Sequence, residues 1–146
     1  MSAHVPAPAG ELADEPLSGP VDAGRAVTTA AQARAVITGL LDHVPGDTGA
    51  ARRDAHLAAT ELVTNALRHG GGLTAFRARL VADATVLCIE VEDATSQCPR
   101  EPEPDGRDPS RLGGRGWMIV RRISASCTVR PLPTGGKRIS ITVPVR

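Results

Sequence analysis

His56-Leu-Ala-Ala-Thr-Glu61-Leu-Val-Thr-Asn65-Ala-Leu-Arg-His69-Gly-Gly-Gly72 is the stretch whose reading decides the fold. At 3.6 residues per turn, Leu62, Val63, Ala66 and Leu67 fall on one side of a helix. Glu61, Asn65, Arg68 and His69 collect on the other. Glu61 and Asn65 are four apart, so they project together from successive turns. Asn is a poor helix-interior residue unless its amide has something to bind. A carboxylate and an amide side by side, on a helix closed by three glycines, suit a cation with its anionic ligand. An amphipathic helix with a merely solvated polar face has the same pattern, and the rest of the chain must choose between them.

Working outward, the chain before this helix reads as a second helix over Ala26–Leu41, with Val27, Ala30, Ala33, Val36, Ile37, Leu40 and Leu41 returning to one face. Pro45-Gly46-Asp47-Thr48 stops it and starts the next, with Asp47 or Thr48 as N-cap. Gly70 suits the left-handed position that ends the longer helix. Residues 1–22 carry four of the twelve prolines and read as a flexible tail ahead of a domain over 23–146.

After the glycines, Leu73–Val81 alternates, with Phe76, Ala78 and Leu80 on one side and Arg77 and Arg79 on the other. Thr85–Glu92 reads as a central strand, joined to the first by a hairpin turn at Asp83-Ala84. Residues 94–112 hold four prolines and almost no apolar content. A loop of this length in a small domain is either functional, as a lid, or a disordered insertion. Gly113-Gly114-Arg115-Gly116 leads into a short helix, Trp117–Ser124. Cys127–Arg130 and Arg138–Val145 form a final hairpin across Pro133-Thr134-Gly135-Gly136. The order helix, helix, strand, strand, loop, helix, strand, strand gives an α+β fold, with helices on one face of a mixed or antiparallel sheet. It lacks the alternation of a doubly wound fold.

The totals fit one small domain. In 146 residues there are 17 basic and 16 acidic groups, net charge +1, which favours neither nucleic acid nor a membrane surface. Aromatics are 1%, so the core must be built from Ala, Val, Leu and Ile. No apolar run approaches a membrane span, and no secretory signal is expected. Three scattered cysteines point to a reducing cytoplasm, and the four histidines form no zinc pattern.

Three separated pieces converge on one kind of site. Glu61 and Asn65 supply an acid and an amide, Asp93 ends the buried strand, and Gly113–Gly116 opens a helix whose free N–H groups can take a phosphate. By itself the glycine cluster could be a tight turn. No Gly-x-x-x-x-Gly-Lys-Ser/Thr loop occurs, and no Gly-x-Gly-x-x-Gly follows a strand.

Glu-Leu-Val-Thr-Asn-Ala-Leu-Arg-His-Gly (61–70), Val-Glu-Asp (91–93) and Gly-Gly-Arg-Gly-Trp-Met-Ile-Val (113–120) resemble, in order and spacing, the three boxes of the GHKL ATP-binding superfamily. Within it they look most like the anti-sigma-factor serine/threonine kinases of actinomycete-type bacteria. The resemblance covers roughly residues 25–145. It implies the Bergerat two-layer α/β sandwich of histidine-kinase-like ATPases, with ATP and Mg²⁺ as cofactors. It further implies a cytoplasmic kinase that phosphorylates an anti-sigma antagonist and controls transcription through a sigma factor. A homodimer is open, and the helix pair that histidine kinases add for dimerisation is not expected.

The same resemblance makes Glu61 the general base and Asn65 the Mg²⁺ ligand, and sets Asp93 on the adenine amino group. Residues 94–112 become the ATP lid, and Gly113, Gly114 and Gly116 face the phosphates. His69 and Arg115 are candidate phosphate contacts, with a helix cap and an exposed structural arginine as their plain alternatives. One departure stands out. Thr95 occupies a place where a glycine is usual in the family, and a branched side chain resists positive φ. A non-catalytic binding module with weak or no ATP binding is therefore the alternative expectation.

Overall fold

The computed structural model describes residues 26–98 and 112–145, and at 112–115 the backbone alone. The expected tail and most of the expected lid lie outside these residues. Helix α1 is Ala30–Leu41, four residues shorter at its start than the periodicity predicts. Thr29 is the reason. Its hydroxyl accepts from Gln32 N–H (3.1 Å), while Thr29 N–H donates to Gln32 Oε1 (3.2 Å), a reciprocal pair that fixes the first turn. Helix α2, Gly49–His69, starts after Thr48, but the side-chain bond comes from Asp47, whose Oδ1 accepts from Gly49 N–H at 2.8 Å.

The inner face of α2 is built from small residues. Ala51, Ala55, Ala58, Ala59, Leu62, Val63 and Ala66 are buried against its neighbours. Five alanines in this row let α1, the sheet and the third helix approach closely without aromatic filler. Leu67, expected on this face, is 51% exposed. It lies beyond the edge of the buried arc, near the helix end. The left-handed stop also differs from expectation. Gly70 has φ −97° and is the C-cap, and Gly71, at φ +73°, takes the left-handed position. Gly70 and Gly72 N–H both return to the Ala66 carbonyl, at 3.1 and 3.0 Å.

Strands β1 (Leu73–Val81), β2 (Val86–Asp93), β3 (Ser126–Pro131) and β4 (Lys137–Pro144) form one sheet in the order β1-β2-β4-β3, antiparallel at every pairing. Alternation decides the faces. Leu87, Ile89 and Val91 of β2 and Ile139, Ile141 and Val143 of β4 join the core with the helices. Glu90, Glu92, Arg138 and Ser140 take the other face, where Arg138 pairs with Glu92 at 2.7 Å. The fold is thus the expected α+β sandwich, with its core between the helices and one face of an antiparallel sheet. The β1–β2 turn is unusual in one respect: Ala82, Asp83 and Ala84 all have positive φ, 53° to 63°.

Helix α3, Leu112–Ile123, begins five residues earlier than predicted. The glycines at 113, 114 and 116 are its first turns rather than a loop before it. Glycine's low helix propensity hides this in the sequence, and packing overrides the propensity. Trp117 and Val120 are buried in the common core, and Arg121 and Arg122 lie in the last turn, where cations suit the helix dipole.

Candidate functional site

The C-terminal half of α2 carries contacts at both of its ends, and these define the site. At one end, Gly116 of α3 sits directly on Glu61. A Cβ at position 116 would collide with the Glu61 carboxylate. The absence of a side chain there is what lets the acid lie along the start of α3. Glu61 is half-buried, and so is Asn65 one turn on. Among the described residues neither side chain has a hydrogen bond or an ion pair. An acceptor carboxylate and an amide, held by their helix but not by side-chain partners, can bind something else.

At the other end, Asp93 is 5% exposed and enclosed by glycines and a cation. Gly70 leaves the space that its side chain fills: a Cβ there would stand 2.6 Å from Asp93 Oδ2. The Gly70 carbonyl accepts from Ala94 and Thr95 N–H, both at 2.9 Å, which joins the end of β2 to the end of α2. Gly136 passes so close to the Asp93 carbonyl that a Cβ there would collide with it, and its φ of +84° also calls for glycine. Lys137 lies opposite Asp93 in the β2–β4 register and is itself 5% exposed. Its ammonium donates to Asp93 Oδ1 at 3.0 Å and to Oδ2 at 2.8 Å. Thr95 N–H adds a third bond, to Oδ1, at 3.2 Å.

The sequence-predicted residues therefore fall into two groups. Glu61 and Gly116 are in contact, Asn65 lies on α2 between Glu61 and Gly70, and Asp93 packs on Gly70. Gly113, Gly114 and Arg115 have backbone in the first turn of α3, where the leading N–H groups have no carbonyl within the helix to bond. The side chain of Arg115 lies outside the described residues. His69 is exposed in the last turn of α2, where its side chain has no hydrogen-bond partner among the described residues.

Thr95 departs from the sequence argument. Positive φ among non-glycine described residues is confined to 82–84, so Thr95 carries no left-handed strain. Its backbone donates to Asp93 and Gly70 without needing a glycine.

Lys137 is the residue that sequence reasoning missed. A lysine opening an edge-proximal strand reads as solvated, and only the β2–β4 register reveals its partner. The signal available was Gly135-Gly136 immediately before it, a turn tight enough to press the chain onto the neighbouring strand.

The cysteines add no nucleophile here. Cys127 is buried, and burial pushes its thiol up to about 11, only partly offset by Arg121. No three His, Cys, Asp or Glu side chains form a metal cage among the described residues. No helix of these residues is long and apolar enough to cross a membrane.

No curated protein matches the chain at a significant level. The model of the histidine kinase-like ATPase domain family, by contrast, matches residues 25–143, a span that holds both helix contacts, the Asp93–Lys137 pair and all of the sheet but its last residue, Pro144. The chain is a member of the histidine kinase-like ATPase family.

Proposed function

We propose that this protein binds Mg-ATP between α2 and α3 and transfers the γ-phosphate to a serine or threonine of a protein partner. The observation that carries this reading is the seating of Glu61 on Gly116. It sets a carboxylate with no partner among the described residues beside the helix start that suits phosphate, one turn from an amide oxygen.

The donor set fits the cofactor. Mg²⁺ takes oxygen ligands and keeps most of its waters and phosphate contacts, so the Asn65 amide oxygen would be a sufficient protein ligand. When bound, the ion neutralises charge on the phosphates. Leading N–H groups of α3, at 112–115, would bind phosphate oxygens. Oδ2 of Asp93 accepts one bond from Lys137 and keeps a second lone pair, which suits the exocyclic amine of adenine. Glu61 accepts the proton of the attacking hydroxyl as phosphoryl transfer proceeds.

The finer regulatory reading draws its support from the likeness of residues 61–70, 91–93 and 113–120 to anti-sigma-factor kinases. In it the phosphoacceptor is an anti-sigma antagonist, and a sigma factor is held in the cytoplasm by the same protein. The alternative is a binding module of the same fold with weak or no ATP binding; the absence of left-handed strain at Thr95 favours the ATP reading.

Glu61→Gln separates chemistry from binding. Phosphate transfer to the antagonist should fall by about 10²- to 10⁴-fold, with the ATP dissociation constant nearly unchanged. Asn65→Ala should instead weaken Mg-ATP binding. Full transfer activity in Glu61→Gln would assign the base to another residue.

A further inference from the structure

The Asp93–Lys137 pair has a geometry that a purely structural ion pair does not need. Both carboxylate oxygens are held by one ammonium, at 3.0 and 2.8 Å, and Oδ1 is also closed by Thr95 N–H at 3.2 Å. Each carboxylate oxygen offers two lone-pair positions. Oδ1 has used both and Oδ2 has used one. One acceptor position is left on this carboxylate, and its direction is set by Lys137. Gly70 packs against the carboxyl itself, and Gly136 packs against the Asp93 backbone.

We propose that Lys137 is a specificity-determining residue of the nucleotide site, which acts through Asp93 to hold its one open acceptor position in place. The inference rests on the ATP reading above and says how the base is chosen. Adenine presents an amino donor at its 6-position, and guanine presents a carbonyl acceptor there. A carboxylate held in place accepts from the amine and repels the carbonyl. Without Lys137 the buried carboxylate loses two of its three hydrogen bonds, so its open position no longer meets the base at a set angle. Lys137 touches Asp93 rather than the ligand. It is a positioning residue, and its effect should vanish when the carboxylate is absent.

The experiment is a double-mutant cycle read by calorimetric binding of ATP and GTP to the full chain, in parent, Lys137→Met, Asp93→Asn and the double variant. In folded Lys137→Met the ATP-over-GTP preference should fall by about tenfold or more, and in the Asp93→Asn background the same change should leave ATP affinity within about twofold. Should Lys137→Met fail to fold, the comparison of Asp93→Asn with the double variant decides alone, because neither holds an unpaired buried carboxylate. A parental ATP-over-GTP ratio in folded Lys137→Met overturns the inference. So does a loss of ATP affinity from Lys137→Met in the Asp93→Asn background of about tenfold or more, which would place the lysine on the nucleotide itself. A parent chain that binds no ATP overturns the ATP reading, and this inference with it.

Discussion

The two ends of the site are built on opposite principles. Around Asp93 the charges are matched: a carboxylate and an ammonium, each 5% exposed, bond to one another, and Thr95 N–H adds a bond to the carboxylate. Around Glu61 and Asn65 the groups are half-buried, and among the described residues they have no side-chain partner. The closed end has the rigidity to read a shape, and the open end has spare valence for ions and a proton. A rigid recognition end and an uncommitted chemical end share one helix, α2.

The sharpest way to break this comparison is to remove one charge from the closed end. Breaking a buried pair leaves an uncompensated ion, a change typically worth about 3–5 kcal/mol. Asp93→Ala and Lys137→Met should therefore each lower unfolding free energy by about that amount in urea titrations. Glu61→Gln and Asn65→Ala should change it by less than about 1 kcal/mol, because neither loses a protein partner. Equal costs at both ends would erase the distinction.

A finer contrast uses the same substitution twice. Gly70→Ala presses a methyl onto Asp93, whose position Lys137 fixes, so the clash must be absorbed by backbone at about 1–3 kcal/mol. Gly116→Ala presses a methyl onto the far end of Glu61, which can rotate away. Replacing a helical glycine there gains up to ~1 kcal/mol of helix propensity. Gly116→Ala should thus be neutral or stabilising in thermal melts while impairing phosphate transfer, since the displaced carboxylate is the proposed base. A Gly116→Ala protein that keeps full transfer would show that the seat of Glu61 does not matter to the chemistry.

The smallest effect lies outside the site, at the α1–α2 contact, where His56 Nε2 bonds with Thr38 Oγ1 at 2.9 Å. Burial first, then the charges of Arg52 and Arg34, hold His56 below its usual value of 6.5. With the folded value lowered, the unfolded chain binds more protons just below pH 6.5. Stability from this group is therefore present above pH 6.5 and is lost as pH falls through the folded value. His56→Gln should flatten that part of the stability–pH curve, measured by urea midpoints between pH 7.5 and 5. An unchanged slope would place the acid sensitivity elsewhere.

Much of this architecture was legible in the sequence because periodicity is local. The apolar spacing over 30–41 and 51–66 and the alternation over 86–93 and 137–144 mark their elements directly, and the order of the three motifs places them at one end of the sheet. What was not legible depends on register and packing. Lys137 looks like a solvated lysine until the β2–β4 pairing sets it opposite Asp93. The glycines at 113–116 look like a loop because propensity argues against a helix that the Glu61 contact supports. Thr95 looked incompatible with its place because a family habit was read as a backbone requirement, and the observed backbone makes no such demand. Leu67 shows the same limit from the other side, since a helical face predicts burial only where another element covers it.

The central claim is that α2, with Asp93 and the start of α3, forms a nucleotide site, and titration of the parent chain with Mg-ATP tests it most directly. One-site linkage at one hundred times the dissociation constant stabilises the folded state by about 2.7 kcal/mol, which raises the melting temperature by ~5 °C or more for a domain of this size. The account predicts a saturable calorimetric signal with ATP and Mg²⁺ together with that shift. Absence of both heat and thermal shift at millimolar Mg-ATP would contradict it.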